Sequence, residues 1–222
     1  EITTLHKLRN DSEGRLASHI REFSRYRTVS LILPSIYAEL EGTALPHIID
    51  ELKTVDYLKE IVITMGATDA GQFRKAKSFF GALPQKHTII WNTGPRIMEL
   101  YELLRESNVP VGEDGKGRSV WMAIGYLISC TGTRIMALHD CDILTYTRDL
   151  LDRLVYPVVH PILDYEYAKG YYSRFSESMH GRVVRLFVTP LVRSLKQILG
   201  DNTFLNFIDC FRYPLSGEFC FA

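Results

Sequence analysis

Residues 134–142, with the sequence RIMALHDCD, decide how this chain is expected to fold. The run at 134–138, apolar after Arg134, predicts a short buried strand, and Asp140 and Asp142 lie just beyond it. Buried strands of this kind are typical of parallel sheets covered on both faces, where ligands bind beyond the carboxyl ends of the strands. This stretch therefore predicts an α/β protein with a polar site at one edge of its sheet.

The preceding sequence supports that prediction. Apolar runs predict further strands at 28–34, 61–65 and 88–91. Between the strands, apolar residues recur at helical spacing, which predicts four helices: 46–55, one through Phe73 to Phe80, one opened by Pro95, and 118–128. Strands that alternate with helices of about ten to fifteen residues indicate βαβ units and a mainly parallel sheet. Unusual residues follow three of the strands, at 34–39, 66–69 and 139–142, and we expect these strand ends to meet.

Composition excludes several classes of protein. The 222 residues are 46% hydrophobic, and 26 Lys and Arg balance 26 Asp and Glu, so a single globular domain (1–222) without affinity for nucleic acid is expected. The four cysteines form no C-x-x-C pair, which disfavours structural zinc and a disulfide framework and indicates reduced thiols in the cytoplasm. No apolar stretch reaches the ~18 residues that a membrane span needs. The chain begins without Met and stops at Ala222, and we expect it to be C-terminally truncated.

Asp140 and Asp142 allow three interpretations. Side chains two positions apart on an extended strand share a face, so both carboxylates can bind one hard cation, which can stabilise a departing diphosphate. Alternatively, the two residues cap the next helix or shape a turn. A third interpretation makes Asp140 the nucleophile of an aspartyl-phosphate phosphatase or phosphotransferase. Such enzymes usually carry Asp-x-Asp on the first strand, followed by Thr or Val, whereas Leu144 stands at that point here.

Glycines mark two further anion-binding candidates. At 115–118 (GKGR), accessible backbone N–H groups and Lys116 lie beside a predicted helix N-terminus, which suits a phosphate. At 180–185 (HGRVVR), a second glycine and Arg182 precede an apolar helix. Each segment also fits a solvated loop or helix face. Downstream, a Ser-Gly turn either presents Glu218 to a cleft or leaves it without a task. The motifs of P-loop proteins, dinucleotide dehydrogenases and α/β-hydrolases are absent.

Taken in order, these pieces resemble the retaining GT-A glycosyltransferases of the glucosyl-3-phosphoglycerate synthase and mannosyl-3-phosphoglycerate synthase group. Six segments carry the resemblance: 33–39 (LPSIYAE), 115–117 (GKG), 140–142 (DCD), 169–172 (KGYY), 181–183 (GRV) and 213–219 (YPLSGEF). Each segment alone is weak, but their order matches the family. The resemblance implies a GT-A, Rossmann-like sheet flanked by helices, with a nucleotide-sugar-binding half (28–146) and an acceptor-binding C-terminal half (147–222).

The resemblance also implies the donor and metal sites. Three residues would line the nucleotide: Pro34, Ile36 and Glu39. Lys116 would face the diphosphate or the base of a UDP- or GDP-hexose. Asp140, which also contacts the nucleotide sugar, and Asp142 would hold Mg²⁺ or Mn²⁺.

On the acceptor side, the resemblance implies a small phosphorylated or carboxylated molecule. Gly181 and Arg182 would bind its phosphate or carboxylate, and Lys169 and Tyr171 would shape the sugar site. Glu218, together with the metal-binding Asp142, would act in catalysis.

The implied activity is metal-dependent transfer of glucose or mannose, with retention of configuration, to 3-phosphoglycerate or a related acid in compatible-solute synthesis. A homodimer is implied as well. Val184 replaces a Thr usual in the family's acceptor loop, and a downstream His that completes the metal shell in relatives has no counterpart among the 222 residues. Besides the phosphatase, a non-catalytic nucleotide-sugar-binding domain remains an alternative.

Overall fold

The computed structural model describes residues 2–7, 14–171 and 183–222. In these residues strands alternate with one or two helices as far as the fifth strand, helices follow, and the last of six strands closes the order. The strands are β1 (Val29–Ile36), β2 (Leu58–Gly66), β3 (His87–Trp91), β4 (Ile135–Leu138), β5 (Tyr167–Lys169) and β6 (Phe219–Phe221). The α-helices are α1 (Arg15–Phe23), α2 (Tyr37–Leu40), α3 (Ala44–Leu52), α4 (Ala70–Phe80), α5 (Pro95–Glu106), α6 (Lys116–Cys130), α7 (Arg148–Val159), α8 (Thr189–Leu199) and α9 (Thr203–Asp209), and a π-helical segment, Val184–Val188, precedes α8.

The sheet has the strand order β3-β2-β1-β4-β6-β5. β1 pairs parallel with β2 and β4, and β2 pairs parallel with β3, which confirms the predicted mainly parallel sheet. β6 pairs antiparallel with β4, with Cys220 opposite Ala137. Its three residues are too short for a periodic pattern, so the sequence did not predict it.

Both faces of the sheet are covered, because alternate residues of each strand enter two different cores. On β1, Leu31 and Leu33 pack into a core that also takes residues of α3, α4 and α7, while Ile32 packs into a second core with residues of α5 and α6. This double coverage explains why the strands are continuous apolar runs.

The predicted helices are present with small shifts at their ends. Ile48, Ile49 and Leu52 on α3 are buried, as their spacing indicated. α6 begins at Lys116, two residues before the predicted start. In the described part of the chain, no helix is long and apolar enough to cross a membrane.

The chain divides into two compact units. The larger consists of Glu13–Ala168 with Glu218–Ala222, and the smaller of Glu1–Ser12 with Lys169–Gly217. In the smaller unit, Asp209 at the end of α9 accepts from Lys196 of α8 at 3.0 Å. The division into a nucleotide-sugar-binding half and an acceptor-binding half at 146/147 stays a prediction.

Candidate functional site

A pocket of about 290 Å³ opens in the larger unit where β1, β2 and β4 end and α6 begins. This is the edge at which ligands bind in parallel α/β sheets. The pocket is lined by Pro34, Ser35, Ile36, Glu39, Thr64, Gly66, Ala67, Asp114, Gly115, Lys116, Ser119, Asp140, Cys141 and Asp142. The three strand ends that the sequence singled out therefore meet, as predicted.

At the end of β1, the Glu39 carboxylate is held in place by hydrogen bonds. Its Oε2 accepts from the Ser35 hydroxyl at 2.8 Å and from the backbone N–H of Ile36 at 3.0 Å. This closes the first turn of α2 and fixes the carboxylate at the pocket wall. Pro34 is buried, whereas the side chain of Ile36 is exposed beside the pocket.

The Asp-Cys-Asp segment after β4 presents both carboxylates to the same pocket. Cys141 is buried in the core, Asp140 is half-buried and Asp142 is exposed. Burial of the central side chain leaves its two neighbours at the pocket. The helix-capping interpretation is wrong for these residues, because α7 begins at Arg148 with Thr147 as its N-cap.

The N-terminus of α6 forms the opposite wall. Gly115 precedes the helix with φ 156° and ψ −177°, a backbone conformation that favours glycine. Lys116, the first helical residue, donates to Asp140 Oδ1. Free N–H groups at a helix start attract anions, so this wall suits a phosphate group.

Arg118 belongs to the protein interior rather than to the pocket. Its side chain is only 8% exposed, donates to Asp114 at 2.5 Å and lies 4.5 Å from the ring centroid of Tyr101. Of the two cations in the Gly-Lys-Gly-Arg segment, Lys116 is the one that reaches the pocket.

The charge of the pocket indicates how an anion can bind there. Four carboxylates, from Glu39, Asp114, Asp140 and Asp142, face a single ammonium group. An anionic diphosphate would be repelled by such a lining without an added cation. Oxygen ligands suit Mg²⁺ and Mn²⁺, so Asp140 and Asp142 fit the predicted metal. Among the described residues, no group of three or more His, Cys, Asp or Glu side chains could hold a metal ion.

Beneath the Asp-Cys-Asp segment lies a buried aromatic pair. His139 is fully buried, its ring centroid is 4.7 Å from that of Tyr146, and burial lowers its pKa to about 4. Within the described chain, the structure gives no hydrogen-bond partner to His139 Nε2 or to the Tyr146 hydroxyl. This histidine is neutral at physiological pH and supports the strand end through packing.

Three further predicted site residues are described by the structure: Lys169, Tyr171 and Glu218. In the smaller unit, Lys169 donates to the Ser216 carbonyl at 2.7 Å, and Tyr171 is 57% exposed. Glu218, in the larger unit, is fully buried at the start of β6. Gly181 and Arg182 lie outside the described residues.

Three pocket residues lie outside every segment that the sequence singled out: Thr64, Asp114 and Ser119. Asp114 directly precedes the glycine-rich segment and Ser119 lies one turn into α6, so both could have been found by extending that motif. Ala67 has a positive φ of 45°, which no feature of its sequence indicated.

Comparison with known proteins supports the resemblance. No protein-family model matches the chain. A glucosyl-3-phosphoglycerate synthase from Persephonella marina is 48% identical over 220 residues, which are 99% of this chain and 55% of that protein. One from Methanococcoides burtonii is 37% identical over 98% of this chain and 54% of its own length. The chain thus spans about half the length of the curated relatives it matches.

Solved structures show the same fold. Glucosyl-3-phosphoglycerate synthase from Mycobacterium tuberculosis, in complex with Mn²⁺, UDP and glucosyl-3-phosphoglycerate, matches all of this chain and 64% of its own, with a TM-score of 0.66 and 21% identity. The same enzyme with Mn²⁺, UDP-glucose and phosphoglyceric acid gives a TM-score of 0.65. Over nearly its whole length, this chain is therefore similar in sequence to the glucosyl-3-phosphoglycerate synthases, and it has the GT-A fold.

Proposed function

We propose that this protein is a metal-dependent retaining glucosyltransferase, which moves glucose from a nucleotide-diphosphate sugar to 3-phosphoglycerate or a closely related acid. The observation that carries the proposal is the pocket itself, where two carboxylates at the end of β4 face Lys116 at the N-terminus of α6. The relatives that match along nearly the whole chain bear the name of this activity. This chain covers about half the length of these relatives.

The donor is proposed to lie along the edge of the sheet. Pro34 and Ile36 would contact the nucleotide, and Glu39 would present Oε1 to its hydroxyl groups, because Oε2 is already bonded to Ser35. Lys116 and the first N–H groups of α6 would bind the diphosphate, where the positive end of the helix dipole favours negative charge.

The divalent cation, Mg²⁺ or Mn²⁺, would be held by Asp140 and Asp142. When bound, it offsets the charge that grows on the leaving diphosphate. Lys116 contributes to the same stabilisation from the opposite wall of the pocket. The M. tuberculosis relative was solved with Mn²⁺ and UDP, which supports the proposal that a divalent cation binds here together with a nucleotide diphosphate.

For the acceptor we propose the C-terminal half, 147–222, with Gly181 and Arg182 on its phosphate or carboxylate and Lys169 and Tyr171 at the sugar site. A guanidinium group binds such anions with two parallel hydrogen bonds. Glu218 is proposed to act close to the transferred sugar. Catalysis would rest on holding the acceptor hydroxyl against the anomeric carbon, which supplies much of the rate of such transfers.

The proposal also includes the cellular compartment and the oligomeric state of the enzyme. All four cysteines are free thiols, which suits the reducing cytoplasm where we propose that the protein acts. The homodimer implied by the family stays a prediction.

The test is a transfer assay with purified protein. UDP-glucose or GDP-glucose is incubated with 3-phosphoglycerate and Mn²⁺, and the products are identified by mass spectrometry. We expect glucosyl-3-phosphoglycerate and one nucleoside diphosphate for each glucose transferred. Arg182→Ala should raise the KM for the acceptor far more than the KM for the donor, and equal losses would remove Arg182 from the acceptor site.

Two outcomes of this assay would contradict the proposal. Metal-dependent donor binding without transfer would favour the non-catalytic binding domain. Release of inorganic phosphate from sugar phosphates without any nucleotide, abolished by Asp140→Asn, would favour the phosphatase.

A further inference from the structure

The Lys116–Asp140 ion pair joins the two walls of the pocket. The Lys116 ammonium donates to Asp140 Oδ1, one of the oxygens that a metal would need. The Lys116 side chain is 51% exposed and that of Asp140 is 24% exposed, so water and ions reach both groups. In the described chain, the structure gives no hydrogen-bond or ion-pair partner to the Asp142 carboxylate, which is also exposed.

This pairing affects the pocket's attraction for a free cation. With Lys116 on Asp140, one of the two candidate metal ligands is already neutralised and one of its oxygens is occupied. A divalent ion arriving alone must either displace the ammonium group or bind the other oxygen of Asp140 beside this like charge. It would also gain only two carboxylate ligands, whereas Mg²⁺ and Mn²⁺ prefer about six.

A bound diphosphate would make binding of the divalent cation at Asp140 more favourable. It brings negative charge and oxygen ligands for the ion, and it offers Lys116 a new anionic partner. The lysine side chain is flexible, and its compact charge can move between neighbouring anions. The start of α6, where Lys116 lies, also attracts a phosphate group.

We propose that Lys116 competes with the divalent cation for Asp140 in the donor-free protein, and that it transfers to the diphosphate when the donor binds. Metal and nucleotide then bind cooperatively, because each relieves an unfavourable contact of the other. This inference rests on the proposed nucleotide-sugar site and describes how that site is regulated.

The test measures Mn²⁺ binding by electron paramagnetic resonance, with and without saturating UDP. Wild type is compared with Lys116→Met and with a control, Lys53→Met. The control removes another lysine–aspartate ion pair, in which Lys53 Nζ lies 2.7 Å from Asp50 Oδ1 at the C-terminal end of α3. Without UDP, we expect Lys116→Met to bind Mn²⁺ about three- to tenfold more tightly, as loss of a partly screened competing charge implies. With UDP this advantage should disappear, and UDP itself should bind more weakly. Lys53→Met should match wild type in both conditions.

Unchanged or weaker Mn²⁺ binding by Lys116→Met without UDP would overturn the proposal, provided its thermal unfolding matches wild type. Absence of Mn²⁺ binding in both proteins at millimolar concentrations would overturn it as well. If wild type binds Mn²⁺ but not UDP, the proposed function fails with the donor part of this inference. Tighter Mn²⁺ binding by Lys116→Met would even then establish the competition at Asp140.

Discussion

The two ends of the parallel sheet treat carboxylates differently. At the amino end, Glu60 on β2 is fully buried and accepts from Lys86 at 2.8 Å, Thr88 at 2.6 Å and Tyr126 at 2.9 Å. At the carboxyl end, Asp140 has Lys116 as its partner and Asp142 is exposed to the pocket. Both ends thus hold acidic groups, but only one leaves them accessible to a ligand.

This difference separates a structural charge from a candidate functional one. Burial alone raises the pKa of Glu60, but the hydrogen bonds from Lys86, Thr88 and Tyr126 outweigh it and hold the pKa below its usual value. Altering one partner of a buried, hydrogen-bonded charge destabilises the folded state, because the remaining groups are left without their bonds. Carboxylates left at a pocket edge are instead available to bind a cation. Substitutions at the two ends should therefore affect different properties.

The largest effect is expected for Asp142→Ala. Loss of one of the two proposed metal ligands should lower turnover about a thousandfold, because a Lewis acid contributes several kcal/mol to departure of a diphosphate. Kinetics with UDP-glucose and 3-phosphoglycerate measure this, and thermal unfolding of the metal-free protein should barely change. A variant with full activity would remove Asp142 from the site.

The next largest effect is expected in the pH dependence of the free energy of unfolding, to which His139 contributes. Burial lowers its pKa to about 4, so the folded protein binds fewer protons than the unfolded chain. Its contribution to stability is complete above pH ~6.5 and is lost as pH falls towards 4, by about 2 kcal/mol between pH 8 and pH 5. Urea unfolding in the presence of a chelator measures the slope, which should be shallower for His139→Leu. Equal slopes would contradict the assignment.

Glu60→Gln tests the opposite end of the sheet. The amide keeps the shape but brings its own N–H donors towards two hydroxyl groups and an ammonium group, so stability should fall by about 1.5 kcal/mol. Chemical denaturation measures the loss, while Mn²⁺-dependent UDP binding should stay at the wild-type level. Weakened binding without a loss of stability would mean that the two ends are not separable.

The smallest effect is expected for Lys86→Met. This lysine side chain is 65% exposed, and Glu60 keeps its bonds to Thr88 and Tyr126. Stability should fall less than in Glu60→Gln, as is usual for an exposed partner in an ion pair. High salt should shrink the difference between variant and wild type, and a larger loss at high salt would contradict the ionic explanation.

Much of the fold could be predicted because the strands and helices differ in period. The four parallel strands and the helices between them follow from apolar runs and helical spacing. β6 could not be predicted, since Phe219–Phe221 is short and pairs with β4 from a distant part of the sequence. α7 was missed because Pro157 lies inside it and its sequence is rich in charged residues.

The candidate site was predictable to the level of strand ends but not of contacts. Right-handed βαβ units bring the carboxyl ends of β1, β2 and β4 together, so the meeting of Glu39, Gly66 and Asp140 followed from topology. The Lys116–Asp140 pair joins residues 24 apart and depends on side-chain rotamers, which the sequence does not specify. Burial of Glu218 likewise depends on how β6 packs, so a turn carboxylate became an interior one.

We propose that the pocket at the end of β4 binds a nucleotide-diphosphate sugar through a divalent cation. The most direct measurement is calorimetric titration with UDP-glucose and GDP-glucose, each with Mn²⁺ and with a chelator, for wild type and Asp142→Asn. We predict that wild type binds one of the two donors with Mn²⁺, and that chelation or the substitution abolishes binding. Equal binding with the chelator, or in Asp142→Asn, would contradict the account.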